Sequence, residues 1–147
     1  GGRALSPVYT YASSASAGAA LRLRERLREK GVLERVEQCT APVHASYAPA
    51  LFARLLEEEP TRDLGGGGAT WVTLACFLLS RLTGKPQPIT LSEASWTGLL
   101  DRRSLSYHLP LLRLLRVSRS ALPPLCDAPD LYRGGLASQY TSRWPAL

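Results

Sequence analysis

The 147-residue sequence predicts an α/β chain, helix-rich with few short strands, that makes up only part of a domain. Three observations predict it. Apolar residues recur at helical spacing in four segments, together about 45 residues. Only two or three short β-branched or aromatic runs read as strands, too few to bury a sheet by themselves. The chain opens Gly1-Gly2 and contains no methionine, which reads as a processed, trimmed or partial chain.

The elements follow in order. Val8-Tyr9-Thr10-Tyr11, preceded by Pro7, reads as a short strand. Ser13-Ser14-Ala15-Ser16 then supplies cap residues for a helix over about 17–30, with Ala20, Leu23 and Leu27 on its apolar face. Arg22/Glu25, Glu25/Arg28 and Arg26/Glu29 are opposite charges three apart on its solvated side, and Gly31 stops it. A second helix is expected over about 48–58, with Pro49 in its first turn and Pro60 beyond its end. Its apolar pairs are Leu51/Leu55 and Phe52/Leu56. Gly65-Gly66-Gly67-Gly68 reads as a flexible loop, because no Lys-Ser/Thr follows to make a phosphate-binding loop.

A third helix is expected over about 70–83, with Trp71, Leu74, Ala75, Leu78 and Leu82 on one stripe and Gly84 as its cap. It is apolar nearly all round and is expected to be the most buried helix. Ile89-Thr90-Leu91 reads as extended, and Ser92 to Asp101 as a connection. A fourth helix fits about 108–116, with His108, Leu111, Leu112 and Leu115 on one side. Beyond Ser118 the sequence is loop-like, with Pro123-Pro124, Pro129 and Gly134-Gly135, and Ser142 to Leu147 ends without a closing element.

Composition narrows the function. Apolar residues are 45% and charged residues 20%, near the globular averages of roughly 45–50% and 25%. No apolar run reaches the ~18 residues of a membrane span, and no signal peptide is visible. The net charge is +6, with 16 Arg and 2 Lys. Residues 101–147 carry +4 of it, from 7 positive and 3 negative side chains. Arg102-Arg103 and the Arg113, Arg116, Arg119 series read as solvated faces rather than a nucleic-acid surface. Cys39, Cys76 and Cys126 are odd in number and widely spaced, which disfavours a disulfide framework and a zinc site. The reading is of an intracellular chain in a reducing compartment. His44 and His108 lack a second ligand at helical spacing, so no metal is expected. Neither has a nucleophile motif beside it.

Several motifs in order carry a resemblance. They are Pro7-Val8-Tyr9-Thr10-Tyr11-Ala12, His44-Ala45-Ser46-Tyr47 with the 48–58 helix and Glu58-Glu59-Pro60, and Phe77 to Gly84. Ser92-Glu93-Ala94-Ser95-Trp96-Thr97-Gly98-Leu99-Leu100-Asp101 and Leu122-Pro123-Pro124-Leu125 complete the set. From about residue 7 to 147 this order resembles part of the N-terminal domain of the FGGY carbohydrate kinases, most closely the gluconate-kinase-like branch. The resemblance implies a partial RNase-H-like (actin-like ATPase) domain. It implies that Tyr11, Ser13 and Tyr47 line the sugar side of a cleft that takes a small sugar acid or polyol.

The departures from that pattern shape the functional expectation. Ser13 stands where the family keeps Asp, Ala15 where it keeps Arg, and Tyr11 where it keeps Trp. A lost directed hydrogen bond costs a polyol site about 1–3 kcal/mol. The family's Asp-x-Gly-Thr phosphate loop and its general base are absent from the 147 residues. Catalysis by this chain alone is therefore not expected, and no catalytic residue is assigned. No cofactor is expected within the chain; ATP and Mg would be implied for a complete kinase. The partner is the remainder of such a kinase. The alternative is a kinase-derived, non-catalytic structural subunit of a larger protein or ribonucleoprotein assembly, with Trp71, Trp96 and Trp144 as partner-binding anchors.

Overall fold

The computed structural model describes residues 2–65, 67–127 and 135–144. Its elements run α1 (Ala17–Glu29), α2 (Leu33–Cys39), α3 (Ala48–Glu58), α4 (Leu74–Thr83), β1 (Ile89–Thr90) and α5 (Leu91–Trp96). They continue with β2 (Leu100–Asp101), β3 (Ser106–Tyr107), α6 (Leu109–Leu114), a 3-10 turn (Arg119–Ala121), β4 (Leu125–Cys126) and α7 (Ser138–Thr141). Helices dominate, and the strands form two separate pairs. β1 runs parallel to β4, Ile89 opposite Leu125, and β2 runs antiparallel to β3, Leu100 opposite Tyr107.

The core sits where helical spacing places it. α1 and α3 pack against each other. Leu23 and Leu27 come from one side, and Phe52 and Leu55 from the other, all at most 2% exposed. An ion pair ties the same two helices at the surface: Arg22 donates to Glu57 at 3.0 and 2.6 Å. Arg22 thus pairs across to α3 rather than with Glu25, which pairs with Arg28. α6 buries Leu111 and Leu112, with Leu115 just past its end, and His108 caps it by accepting from the Leu111 N–H at 3.1 Å. The one-sided face expected there is present.

Five expectations are corrected. Residues 8–11 form no strand: Val8 and Tyr11 are 62% and 82% exposed, and no strand lies alongside them among the described residues. An extended run needs a neighbour to take its backbone groups. The helix expected over 70–83 starts at Leu74 and is not the most buried. Leu74 and Leu78 are about half exposed, and only Cys76 and Thr83 are buried. Helical spacing makes this face apolar, and among the described residues nothing covers it fully. Gly84 does cap it, at φ +73. Residues 91–96 are α5 rather than a connection, because Thr90 accepts from the Glu93 N–H at 3.1 Å and starts a helical turn. α2 was not expected at all; its seven residues bury Val36 and Cys39. Beyond Ser118 the expected loop holds β4 and α7. Pro129, Gly134 and residues 145–147 lie outside the described residues.

Of the glycine run, Gly65 is pinned, while Gly66 lies outside the described residues. A Cβ on Gly65 would lie 2.5 Å from the Ser118 backbone nitrogen. Arg116 donates to the Pro60 carbonyl at 2.7 Å, Trp71 Nε1 to the Leu64 carbonyl at 2.9 Å, and the Trp71 N–H to the Ala121 carbonyl at 2.7 Å.

Candidate functional site

Three segments converge at the N-terminal end of α3. The first is the turn before α1, where the Ser13 N–H donates to the Thr10 carbonyl at 3.1 Å. The Ser13 hydroxyl accepts from the Ala15 N–H at 3.3 Å. The second is His44 to Tyr47. The Tyr47 N–H donates to the His44 carbonyl at 3.1 Å, and the Ser46 N–H donates to His44 Nδ1 at 3.2 Å. The third is Thr97-Gly98, whose Thr97 carbonyl accepts from the Ala48 N–H at 3.0 Å.

Side chains close the arrangement. The Ser46 hydroxyl donates to the Tyr11 carbonyl at 3.0 Å, joining the first segment to the second. The Tyr47 ring stands edge-on to His44, centroids 6.2 Å apart. Gly98 holds φ +76, and a Cβ there would lie 3.1 Å from Tyr47 Cβ and 3.2 Å from Pro49 Cδ. Gly98 thus lets the chain pass tightly under the start of α3. Tyr11 and Ser13 are exposed and Tyr47 is half-buried. The structure brings the segments of these three residues together. They offer hydroxyl, imidazole and aromatic groups, and no carboxylate or guanidinium. Such groups suit hydrogen bonding to a polyol. The sequence reading missed Ser46, although it quoted His44 to Tyr47 as a motif. It quoted Thr97-Gly98 without the geometric reason for the glycine.

The tryptophans do not form one surface. Trp71 is half-buried, its ring 5.1 Å from Phe52 and 6.4 Å from Tyr9. Trp96 is 72% exposed at the end of α5, and Trp144 stacks on Tyr140 at 5.7 Å. No ring contact joins the three among the described residues.

Other reactive groups are occupied structurally. Burial pushes the Cys76 thiol up, with the nearby Glu93 carboxylate adding to it, so its thiolate is suppressed. Burial also pushes the Tyr107 phenol up to about 12, and its hydroxyl donates to the Pro123 carbonyl at 3.1 Å. Burial lowers the His108 imidazole. Backbone N–H groups of Arg103 and Ser104 hold the Asp101 carboxyl below its usual range. Among the described residues no three His, Cys, Asp or Glu side chains group to hold a metal ion, and no helix is long and apolar enough to cross a membrane. Several arginines of the basic C-terminal part bond backbone carbonyls: Arg102 to Gln38 and Cys39, Arg116 to Pro60, Arg119 to Leu122.

The chain has the fold of a segment of sugar kinases. It is similar to gluconate kinase from Lactobacillus acidophilus, with a TM-score of 0.73 and 19% identity over 95% of this chain and 27% of that one. Ligand-bound xylulose kinase from the same organism gives the same values. Xylulose kinase from Rhodospirillum rubrum gives a TM-score of 0.64 and 20% identity over 84% of this chain and 24% of that one. The chain therefore spans about a quarter of the length of the kinases it matches. No protein-family model matches it, and no curated protein matches it in sequence.

Proposed function

We propose that this chain is the sugar-side part of the first, RNase-H-like (actin-like ATPase) domain of an FGGY carbohydrate kinase, with a gluconate-like sugar acid or polyol as ligand. The observation that carries the reading is the fold match over 95% of the chain to gluconate kinase. It is supported by the order of the motifs and by the convergence of the Tyr11, Tyr47 and Thr97-Gly98 segments. Tyr11, Ser13 and Tyr47 contact the sugar.

Phosphoryl transfer is assigned to parts of a kinase outside these residues. Transfer needs a phosphate cradle, metal ligands and a base. The residues present do not fit ATP or Mg. The glycine run has no Lys-Ser/Thr after it, and the described residues hold no cluster of metal-binding side chains. Calorimetry on the 147-residue chain tests the reading: D-gluconate binds and ATP does not. Absence of any sugar binding overturns it. A gene whose reading frame encodes no Asp-x-Gly-Thr upstream and no Gly-Asp segment downstream also counts against a kinase origin.

A second reading has its own support. Leu74 and Leu78 on α4, with Val72 before it, are 41–52% exposed, and Ser13 and Ala15 replace the family's Asp and Arg. These features favour a kinase-derived subunit held in a larger protein or ribonucleoprotein assembly, with Trp71, Trp96 and Trp144 as separate candidate anchors. Tight sugar binding by the isolated chain, with no protein captured in a pull-down, removes this second reading.

A further inference from the structure

We propose that Ser46 is the positioning residue of the sugar-side site, an inference that rests on the reading given above. Residues 8–13 have no strand partner among the described residues, and Tyr11 is 82% exposed. Among the described residues, one hydrogen bond joins this segment to residues 44–48: the Ser46 hydroxyl to the Tyr11 carbonyl, 3.0 Å. Without it, no hydrogen bond among the described residues ties the wall carrying Tyr11 and Ser13 to the wall carrying Tyr47, and the segment keeps the Arg54 guanidinium of α3 over its Tyr9 ring, 5.8 Å from the centroid.

The bond also sets what the turn offers a ligand. A serine hydroxyl has one hydrogen, and here it goes to Tyr11; the oxygen keeps its lone pairs as acceptors. The Ser46 N–H goes to His44 Nδ1 at 3.2 Å. A neutral imidazole that accepts at Nδ1 carries its proton on Nε2, and His44 is exposed. The turn therefore sets an N–H donor at His44 two residues from a hydroxyl acceptor at Ser46. A polyhydroxylated ligand, whose hydroxyls both donate and accept, matches such a pairing. Ser46 fixes the donor by its N–H and the far wall by its hydroxyl.

The test titrates the 147-residue chain, Ser46→Ala and Ser46→Thr with D-gluconate and D-xylulose by calorimetry, alongside thermal melts. Ser46→Ala is expected to weaken binding by about three- to tenfold, the worth of one neutral hydrogen bond, with Tm unchanged. Ser46→Thr, which keeps the hydroxyl, restores the affinity. Equal affinity of Ser46→Ala and the parent chain overturns the proposal. A loss accompanied by a lowered Tm and not rescued by threonine also overturns it. If the parent chain binds neither sugar, the sugar-side reading fails first and the positioning role falls with it.

Discussion

Gly65 lies against Ser118 so closely that a Cβ on the glycine would stand 2.5 Å from the serine's backbone nitrogen and 2.7 Å from its Cβ. Gly65 is thereby anchored to the turn after α6. Nearby, Trp71 caps the Leu64 carbonyl, and Arg116 reaches Pro60. Neither neighbour at Gly65 is the free end of a flexible side chain, so added volume has to displace backbone. Gly65→Ala is expected to cost about 1–3 kcal/mol, a fall in Tm of several degrees measured by calorimetry. An unchanged Tm shows that the two loops do not pack as described.

Burial on α3 and α4 predicts opposite sensitivities for the same residue type. Leu55 is 2% exposed and Leu78 is 50% exposed. Leu55→Ala is expected to cost about 2–5 kcal/mol. Leu78→Ala stays within about 0.5–1 kcal/mol, in the range of surface changes. Urea unfolding of both variants checks it; equal losses contradict the exposed face of α4.

Phe52 meets Trp71 edge-to-face at 5.1 Å and is itself 2% exposed. Phe52→Ala is expected to cost about 3–5 kcal/mol. It also alters tryptophan fluorescence, because the indole loses its packed neighbour. A spectrum identical to the parent's disproves that contact.

The Tyr107 phenol has a pKa pushed up to about 12, chiefly by burial. The unfolded value is about 10. Both states bind the proton below pH 10, so this contribution to stability is complete there. It is lost as pH rises from 10 through about 12, because only the unfolded chain ionises easily. Stability should therefore fall over that window in the parent chain and less in Tyr107→Phe. Tyr107→Phe itself costs about 0.5–1.5 kcal/mol at neutral pH by removing one hydrogen bond, since the Pro123 carbonyl keeps the Arg119 guanidinium at 3.5 Å. Parallel slopes for the two chains above pH 10 refute the assignment.

Asp101 has its carboxyl held below the usual range by the Arg103 and Ser104 N–H groups. Its contribution is present above pH 4 and is lost as pH falls through the lowered folded value. Asp101→Ala should flatten the acid side of the stability curve and loosen the β2–β3 turn. Hydrogen exchange at the Arg103 and Ser104 amides reads this directly; unchanged protection rules it out.

Local chemistry was legible wherever it decides the outcome alone. Ala20, Leu23 and Leu27 recur at helical spacing, and all three are buried. Pro49 and Gly84 mark a helix start and a helix end as expected. His108, Leu111, Leu112 and Leu115 share the buried side of α6 and its cap. The ordered motifs pointed to sugar kinases, and the fold is that of a segment of them. α2 escaped notice because seven residues give too short a stretch for periodicity. α5 escaped because its Ser-Glu-Ala-Ser composition resembles a loop, although Thr90 caps it.

What the sequence by itself determined was which side of each long helix is apolar, and where proline and glycine stop the chain. These are properties of a single segment and its backbone angles. Only the tertiary structure decided which apolar faces are covered. It left Leu74 and Leu78 exposed, gave residues 8–11 no strand to pair with among the described residues, and sent Arg22 to Glu57 on another helix. It also joined Ser46 to Tyr11 across 35 residues of sequence. Burial and pairing depend on which neighbour arrives in space, and no single segment carries that information.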